Sequence, residues 1–129
     1  MIKAMMLSCF VRQEDTTDEL IQKAQEIIDK PSKRELDAHL SVGEQVSITL
    51  AVMCLEHLRY SAINLNGCQA GIKTESTHGT DQIVSIDTEK ISFQLNAGRS
   101  VITAGYQGVN NAGNIAAFGR GGADTTGRF

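Results

Sequence analysis

Apolar residues recur at helical spacing between residues 17 and 30. These positions are Leu20, Ala24, Ile27 and Ile28. Thr17 precedes two acidic residues; threonine can cap a helix N-terminus, and acids favour the positive end of the helix dipole. Pro31 ends the segment, because proline lacks the backbone N–H that a continuing helix needs. The pattern predicts an amphipathic helix over residues 17–30.

The pattern over residues 32–58 predicts two helices separated by a break. Residues 32–40 have leucines at helical spacing, and Ser32 stands where a capping residue is expected. The segment Ser41-Val42-Gly43-Glu44 interrupts this pattern. Residues 45–58 then resume it with apolar residues on nearly every side, which predicts a second helix that is buried.

Short apolar runs predict five strands, most of them in the second half of the chain. They are residues 3–11, 60–65, 83–86, 100–104 and 115–118. A helix is predicted over residues 88–97, with Asp87 as its cap and Gly98 at the C′ position. The polar, glycine-containing residues 66–80 are predicted as a loop, and residues 110–113 as a hairpin tip.

Strands that alternate with helices indicate an α/β fold with a mostly parallel sheet. In such sheets, ligands bind at the carboxyl ends of the strands. Three glycine-containing segments, residues 66–71, 105–108 and 119–122, each follow a predicted strand. We therefore expect them to converge on one edge of the sheet, which makes that edge the candidate site.

Composition narrows the class of protein. The chain has 129 residues, 41% of them apolar and 21% charged, with a net charge of −3 at pH 7; this is typical of one soluble globular domain. The absence of a basic surplus argues against a nucleic-acid partner, and no apolar run approaches the ~20 residues of a membrane helix. Three cysteines without metal-ligand spacing indicate reduced thiols in a cytoplasmic protein, and no residue is assigned to a metal.

Residues 119–126 carry the strongest candidate chemistry. Three glycines allow the backbone to approach a ligand closely. Arg120 can hold a carboxylate or phosphate in a bidentate manner, and Asp124 can bind an amine or Mg²⁺, or cap a helix. The alternative is a tight surface turn with a solvated arginine and a capping aspartate. A P-loop is excluded, because no Gly-Lys-Ser/Thr follows.

Two further residues are candidates on weaker grounds. Glu44 is expected at the N-terminus of a buried helix, where its carboxylate is a plausible ligand for a substrate ammonium group. Capping and pairing with the helix dipole is an equal alternative. Thr17 lies at a helix start, which is the simpler interpretation of its sequence context.

Seven motifs follow one another in a characteristic order. They are Thr16-Thr17-Asp18-Glu19-Leu20, Ser32-Lys33-Arg34-Glu35-Leu36-Asp37, Ser41-Val42-Gly43-Glu44-Gln45-Val46-Ser47, Asn66-Gly67-Cys68-Gln69-Ala70-Gly71, Ile86-Asp87-Thr88, Ala104-Gly105-Tyr106-Gln107-Gly108 and Gly119-Arg120-Gly121-Gly122-Ala123-Asp124-Thr125-Thr126. Together, over residues 16–126, they resemble aspartate kinase, a member of the amino acid kinase family.

The resemblance implies a three-layer α/β/α sandwich in which ATP, with Mg²⁺, phosphorylates the side-chain carboxylate of L-aspartate. This reaction is the first step toward lysine, threonine and methionine. Family members are usually dimers or larger assemblies, often with regulatory domains that bind end-product amino acids. The implied partners are therefore L-aspartate and a second copy of the chain or another protein chain.

The matching motifs also imply roles for individual residues. Glu44 resembles the acid that meets the substrate amino group, and Arg120 the residue that holds the substrate carboxylate. Asp124 resembles its neighbour in the substrate pocket and is the candidate catalytic residue. Thr17 resembles the threonine that contacts aspartate at the front of the pocket. Gly121 and Gly122 would let backbone amides face the reacting groups.

The chain also departs from the family pattern. The Lys-Phe-Gly-Gly-Thr-Ser loop that handles the ATP phosphates has no counterpart, because Lys3 lacks the glycines. Cys68 stands where tryptophan is usual and Ala123 where serine is usual. We expect residues 1–129 to form one incomplete kinase domain, without the nucleotide lobe and regulatory domains, that is inactive or nearly so alone. The alternatives are a non-catalytic dimerising or regulatory partner of a full-length kinase, and a gene remnant without a role.

Overall fold

The computed structural model describes residues 14–77, 80–105 and 107–118. The helices are α1 (Glu14–Ile27), α2 (Lys33–His57) and α3 (Glu89–Asn96). The strands are β1 (Ala62–Leu65), β2 (Ile72–Thr77), β3 (Thr80–Ile86), β4 (Ser100–Thr103), β5 (Gln107–Val109) and β6 (Ile115–Ala117). The predicted strand at residues 3–11 and the glycine-rich segment 119–126 lie outside the described residues.

A parallel pair of strands, β1 and β4, forms the middle layer of the fold, with Ile63 opposite Val101 in the register. Successive residues of β4 face opposite sides, as strand geometry requires. Val101 belongs to a buried cluster against which Ile91 and Leu95 of α3 pack, and Ile102 belongs to a second cluster that includes residues of α2. Helix, sheet and helix therefore stack in three layers, which confirms the predicted α/β/α arrangement.

The second sheet has the strand order β3-β2-β5-β6. Its parallel neighbours are β2 and β5. Its antiparallel neighbours are the hairpins β2–β3 and β5–β6, which short turns can connect. The predicted hairpin tip at residues 110–113 is confirmed, because the Asn110 side chain accepts hydrogen bonds from the amides of Ala112 and Asn114 and Gly113 has a φ of 80°.

The prediction of a loop over residues 66–80 is wrong for its second half. Residues Ile72–Thr77 form strand β2. The strand has the alternating burial of a sheet with one face on the core, since Ile72 and Thr74 are buried while Lys73 and Glu75 are exposed. The two-residue period of this strand is not visible as an alternation of apolar and polar residues, because both of its faces carry polar residues.

The predicted break at Ser41–Glu44 is also wrong, because α2 is one continuous helix of 25 residues. Glycine inside a helix costs about 1 kcal/mol relative to alanine, which tertiary packing can offset. The polar side chains are satisfied within the helix: the hydroxyl of Ser41 donates to the Ala38 carbonyl and that of Ser47 to the Gly43 carbonyl. Polar residues are thus compatible with an uninterrupted helix.

The second half of α2 is buried on one face only. Ile48 and Val52 are buried, and they pack with Ile102 and Ala104. Four apolar residues are 47–60% exposed, namely Val42, Val46, Leu50 and Met53. Their spacing places them in a row on the outer face of the helix, and we refer to them as the α2 outer stripe. The prediction that this helix is buried all round is therefore wrong.

The remaining helices agree more closely with the sequence. Helix α1 starts three residues before Thr17 and ends at Ile27. Helix α3 is confirmed, but its N-cap residue is Thr88 and not Asp87, because the Thr88 carbonyl accepts the first helical hydrogen bond. The Asp87 carboxylate accepts from the Glu89 amide, and Gly98 follows the C-cap with a φ of 78°. Ser32 is the N-cap residue of α2, but its side chain makes no capping hydrogen bond.

Helix α2 is also long and apolar enough, by length and composition alone, to cross a membrane. A core helix of a soluble protein passes the same test. Helix α2 packs against β1, β4 and β6, which accounts for its apolar inner face within the sandwich.

Candidate functional site

Three segments meet at the side chain of Gln107, which is only 2% exposed. Its Nε2 donates to the carbonyl of Ser41 in α2 at 3.2 Å. Its Oε1 accepts from the backbone N–H of Gly67, after β1, at 3.4 Å. Gly67 has no room for a side chain, since a Cβ there would lie 2.4 Å from the Gln107 carbonyl oxygen. The close approach of two backbones explains the glycine.

The turn at residues 66–71 is internally braced. Asn66 and Gln69 exchange hydrogen bonds, each side-chain oxygen accepting from the backbone N–H of the other residue. Gly71 has a φ of 77°, and its carbonyl accepts from the Asp87 amide at 2.9 Å. The predicted convergence of segments 66–71 and 105–108 is therefore confirmed, while segment 119–122 lies outside the described residues.

Glu44 lies one helical turn beyond Ser41, in the middle of α2 and not at a helix N-terminus. The alternative that it caps a helix is therefore wrong. Its side chain is half-buried, and this burial raises the pKa of its carboxyl group. Within the described ranges, no hydrogen bond or ion pair engages this carboxylate. A partly desolvated carboxylate without a counter-charge favours a cationic ligand.

Strand β6 runs along α2 toward Glu44. At its start, Arg34 in the first turn of α2 donates from Nε to the Asn114 side chain at 3.0 Å. At its end, Ala117 pairs with Gln107, which binds Ser41. Seven helical residues at 1.5 Å and three strand residues at 3.3 Å both span roughly 10 Å, so the two connections agree in length. The end of β6 is therefore connected through Gln107 to Ser41, which lies one helical turn before Glu44 on α2.

The residues expected to complete the site follow directly. Arg120, Gly121, Gly122 and Asp124 lie outside the described residues.

Thr17 is not joined to Glu44 by any hydrogen bond within the part of the chain that the structure describes. It occupies the fourth position of α1 and is half-buried, so the expectation that it caps the helix is wrong. Helix α1 meets α2 elsewhere, where the Nε2 atom of His39 lies 2.8 Å from the Leu20 carbonyl oxygen. The predicted contact of Thr17 with substrate remains a prediction.

Lys33, which is not among the predicted site residues, anchors the β2–β3 hairpin to α2. Lys33 forms ion pairs with Asp37 and Asp81. Burial by itself lowers the pKa of Lys33, but the hydrogen bonds and charges of both carboxylates outweigh it and raise the pKa. Among the described residues, no group of three histidine, cysteine or acidic side chains could hold a metal ion.

Comparison with known proteins decides the family. The model of the amino acid kinase family matches residues 3–128. This chain belongs to the amino acid kinase family. It is 53% identical over 111 residues to an aspartokinase of Geobacillus stearothermophilus, and 49% identical over the same length to aspartokinase 2 of Bacillus subtilis strain 168. Each alignment covers 86% of this chain and 27% of the relative, so this kinase-family chain spans about a quarter of their length.

Solved structures support the fold. An aspartate kinase from Synechocystis superposes with a TM-score of 0.63 at 33% identity, covering 87% of this chain and 18% of that one. Aspartokinase III of E. coli, solved in complex with lysine and aspartate, has a TM-score of 0.63 at 25% identity, covering 88% of this chain and 27% of that one. The layered α/β arrangement of this family member is thus that of part of an aspartate kinase.

Proposed function

We propose that this chain carries the part of an aspartate kinase that recognises L-aspartate, in the ATP-dependent phosphorylation of its side-chain carboxylate for lysine, threonine and methionine biosynthesis. Support comes from the family membership and from relatives near 50% identity. A cytoplasmic location is part of the proposal; the exposed free thiols of Cys54 and Cys68 suit a reducing compartment. Their exposure also shows that Cys54, in the apolar half of α2, is not a core residue.

The single observation that carries the proposal is the half-buried carboxylate of Glu44, which none of the described side chains pairs with. An α-ammonium group is a cation of the right size to pair with one carboxylate, and charge-assisted hydrogen bonds are about twice as strong as neutral ones. The cation would remove the cost of holding this charge in a partly desolvated position. Glu44 is therefore assigned to the amino group of aspartate.

The other roles rest on the motifs. In the proposal, Arg120 holds a substrate carboxylate, Asp124 stands beside it in the pocket, and Gly121 and Gly122 present backbone amides. Thr17 contacts aspartate at the front of the pocket.

Weak binding of Mg²⁺-ATP by this chain alone is part of the proposal. Among the residues that the structure describes, no group of three histidine, cysteine or acidic side chains could hold a metal ion, and Lys33 is already engaged by Asp37 and Asp81. A phosphoryl group in transfer needs several well-placed positive groups. We therefore propose that the chain alone binds aspartate and has little or no kinase activity.

Thermal melts with L-aspartate and with succinate test this function. Succinate has both carboxylates and lacks the ammonium group. L-aspartate at ten times its Kd is expected to stabilise the protein by about 1.4 kcal/mol, and succinate by much less. In the Glu44→Gln variant the advantage of aspartate should disappear. Equal shifts with both ligands in the wild-type protein, or no shift with either, would contradict the assignment.

A second candidate function is that of a non-catalytic dimerising or regulatory partner, either as a homo-oligomer or with a full-length kinase. The α2 outer stripe favours it, because contiguous exposed apolar residues mark interaction sites. Sedimentation of the wild-type protein and of Leu50→Gln distinguishes the two. Assembly that Leu50→Gln abolishes, together with melts that ignore aspartate, would favour this second role.

A further inference from the structure

The Gln107 amide occupies a position that is buried but adjacent to the proposed site. At 2% exposure it is closed to a substrate. Both of its side-chain partners are main-chain atoms, the Ser41 carbonyl and the Gly67 N–H. A side chain with one donor and one acceptor at this reach is needed to join the two segments, and glutamine supplies both.

The same residue also reaches the strand that leads into segment 119–126. The backbone of Gln107 pairs with Ala117 of β6. One residue therefore connects α2, the turn after β1 and the end of β6. Relative movement of these three segments requires at least one of these connections to break.

The position of Glu44 is set by that of Ser41, because both lie on the same helix. The two residues are three apart on one continuous helix and share a face. They differ in height by about 4.5 Å along the helix axis. Because Ser41 is itself buried and its carbonyl is bound by Gln107, a shift of α2 at Ser41 would carry Glu44 with it.

We propose that Gln107 is a positioning residue for aspartate: it fixes Glu44 on α2 relative to the turn after β1 and the end of β6. This inference rests on the proposed function, since it concerns how the Glu44 site is held. Gln107 acts through Ser41 and does not touch the substrate. Its effect is geometric, so it should change how tightly aspartate binds more than it changes whether the chain folds.

The competing explanation is a purely structural role, in which Gln107 satisfies buried backbone groups and contributes stability alone. The two explanations differ in what happens at Glu44. A positioning role requires that loss of the amide changes the environment of the Glu44 carboxyl group. A structural role requires only a lower melting temperature.

The test compares Gln107→Met with two controls. Met has a similar size but neither the donor nor the acceptor. Gln94→Met makes the same chemical change on α3, where the amide binds only Arg99. Val52→Ala lowers stability through the α2–β4 cluster without touching Gln107.

Three quantities are measured for each protein: the melting temperature, the ¹³C-detected titration of Glu44, and the Kd of L-aspartate by calorimetry. In Gln107→Met we expect the Glu44 pKa to fall toward its ordinary value and aspartate affinity to drop on the order of tenfold. Both controls should keep the wild-type titration and affinity, including Val52→Ala with its lower melting temperature.

A Gln107→Met protein that melts earlier but keeps the wild-type Glu44 titration and aspartate affinity overturns the proposal. A changed titration with unchanged affinity overturns it as well. A wild-type protein that does not bind aspartate contradicts the proposed function. In that case only the change in the Glu44 titration between wild type and Gln107→Met tests whether Gln107 positions Glu44. Should Gln107→Met not fold, Gln107→Asn, which is one methylene too short to reach both partners, is measured in its place.

Discussion

The first half of α2 is tied to its neighbours by polar side chains, whereas the second half packs through apolar ones. Lys33, Arg34 and the Ser41 carbonyl connect the first half to β3, to the turn before β6 and to Gln107. Ile48 and Val52 pack the second half on β4. Hydrogen bonds and ion pairs are directional, while apolar packing is not. Glu44 lies where the two halves meet, so its position depends on the polar contacts of the first half and on the apolar packing of the second.

The largest expected effect tests the apolar half. Ile102 is 1% exposed and faces Ile48 and Val52. Its replacement in Ile102→Ala removes buried methyl groups and leaves a cavity, which should lower the free energy of unfolding by about 3–4 kcal/mol. Chemical denaturation measures the loss. Val84→Ala, at an exposed position on β3, is the control and should change stability by less than about 0.5 kcal/mol.

The next effect tests the polar half. Lys33→Met leaves the carboxylates of Asp37 and Asp81 without their cation, although their side chains are only 12% and 7% exposed. We expect a loss of about 2–3 kcal/mol, below the usual value for a fully buried pair because the lysine is half exposed. Lys90→Met on exposed α3 serves as the control. A loss no larger than that control would mean that the hairpin is held by apolar contacts alone.

The Lys33 contribution also has a defined pH range. Its pKa is raised in the folded protein above the ordinary 10.5, so the proton is held more tightly by the folded state. The stabilisation is therefore fully present below pH 10.5 and is lost as the pH rises through the folded value. The difference between wild type and Lys33→Met should accordingly be constant at neutral pH and shrink only in strong alkali.

A third variant acts at the junction itself. In Gly67→Ala the new Cβ would meet the Gln107 backbone at 2.4 Å, so the turn has to move and stability should fall by about 1–3 kcal/mol. Gly98→Ala has no atom within 4 Å and loses about 1 kcal/mol through its positive φ alone. Only Gly67→Ala should also weaken aspartate binding, which calorimetry measures. Equal aspartate affinities in the two variants would mean that the turn at residues 66–71 does not help to form the aspartate site.

The smallest stability effect is expected at Glu44. Burial raises its pKa above the ordinary 4.5, so the folded state binds this proton more tightly. Its contribution therefore favours folding below pH 4.5 and is lost as the pH rises through the folded value. Glu44→Gln should stabilise the ligand-free protein at pH 7 by about a few tenths of a kcal/mol, a small amount because the group is half exposed. Denaturation at pH 7 and pH 4 measures the difference, and a variant that is less stable at pH 7 would contradict it.

Local signals decided what the sequence could predict. Helix α3 and the hairpin tip at residues 110–113 carry their own end signals in Asp87, Gly98 and Gly113, and both were predicted. Strand β4 was predicted because β-branched residues occupy both buried faces. In these cases the residues that specify the element lie inside it or directly beside it.

Elements that depend on distant residues were missed. Helix α2 continues through Gly43 because packing on β1, β4 and β6 outweighs the local cost of glycine. Strand β2 forms from polar residues because β3 and β5 pair with it. Gln107 lies in one of the seven sequence motifs, but its role depends on Ser41, which is 66 residues away. The sequence identifies Glu44 as a candidate, but it does not predict that Glu44 lies in the middle of a helix.

The most direct test of the account is the titration of the Glu44 carboxyl group, followed by ¹³C NMR, with and without L-aspartate. A bound ammonium group favours the ionised carboxylate, so the account predicts that L-aspartate lowers the Glu44 pKa from its raised value and that succinate leaves it in place. A Glu44 pKa that L-aspartate does not move, in protein that binds it, would contradict the assignment of Glu44 to the substrate amino group.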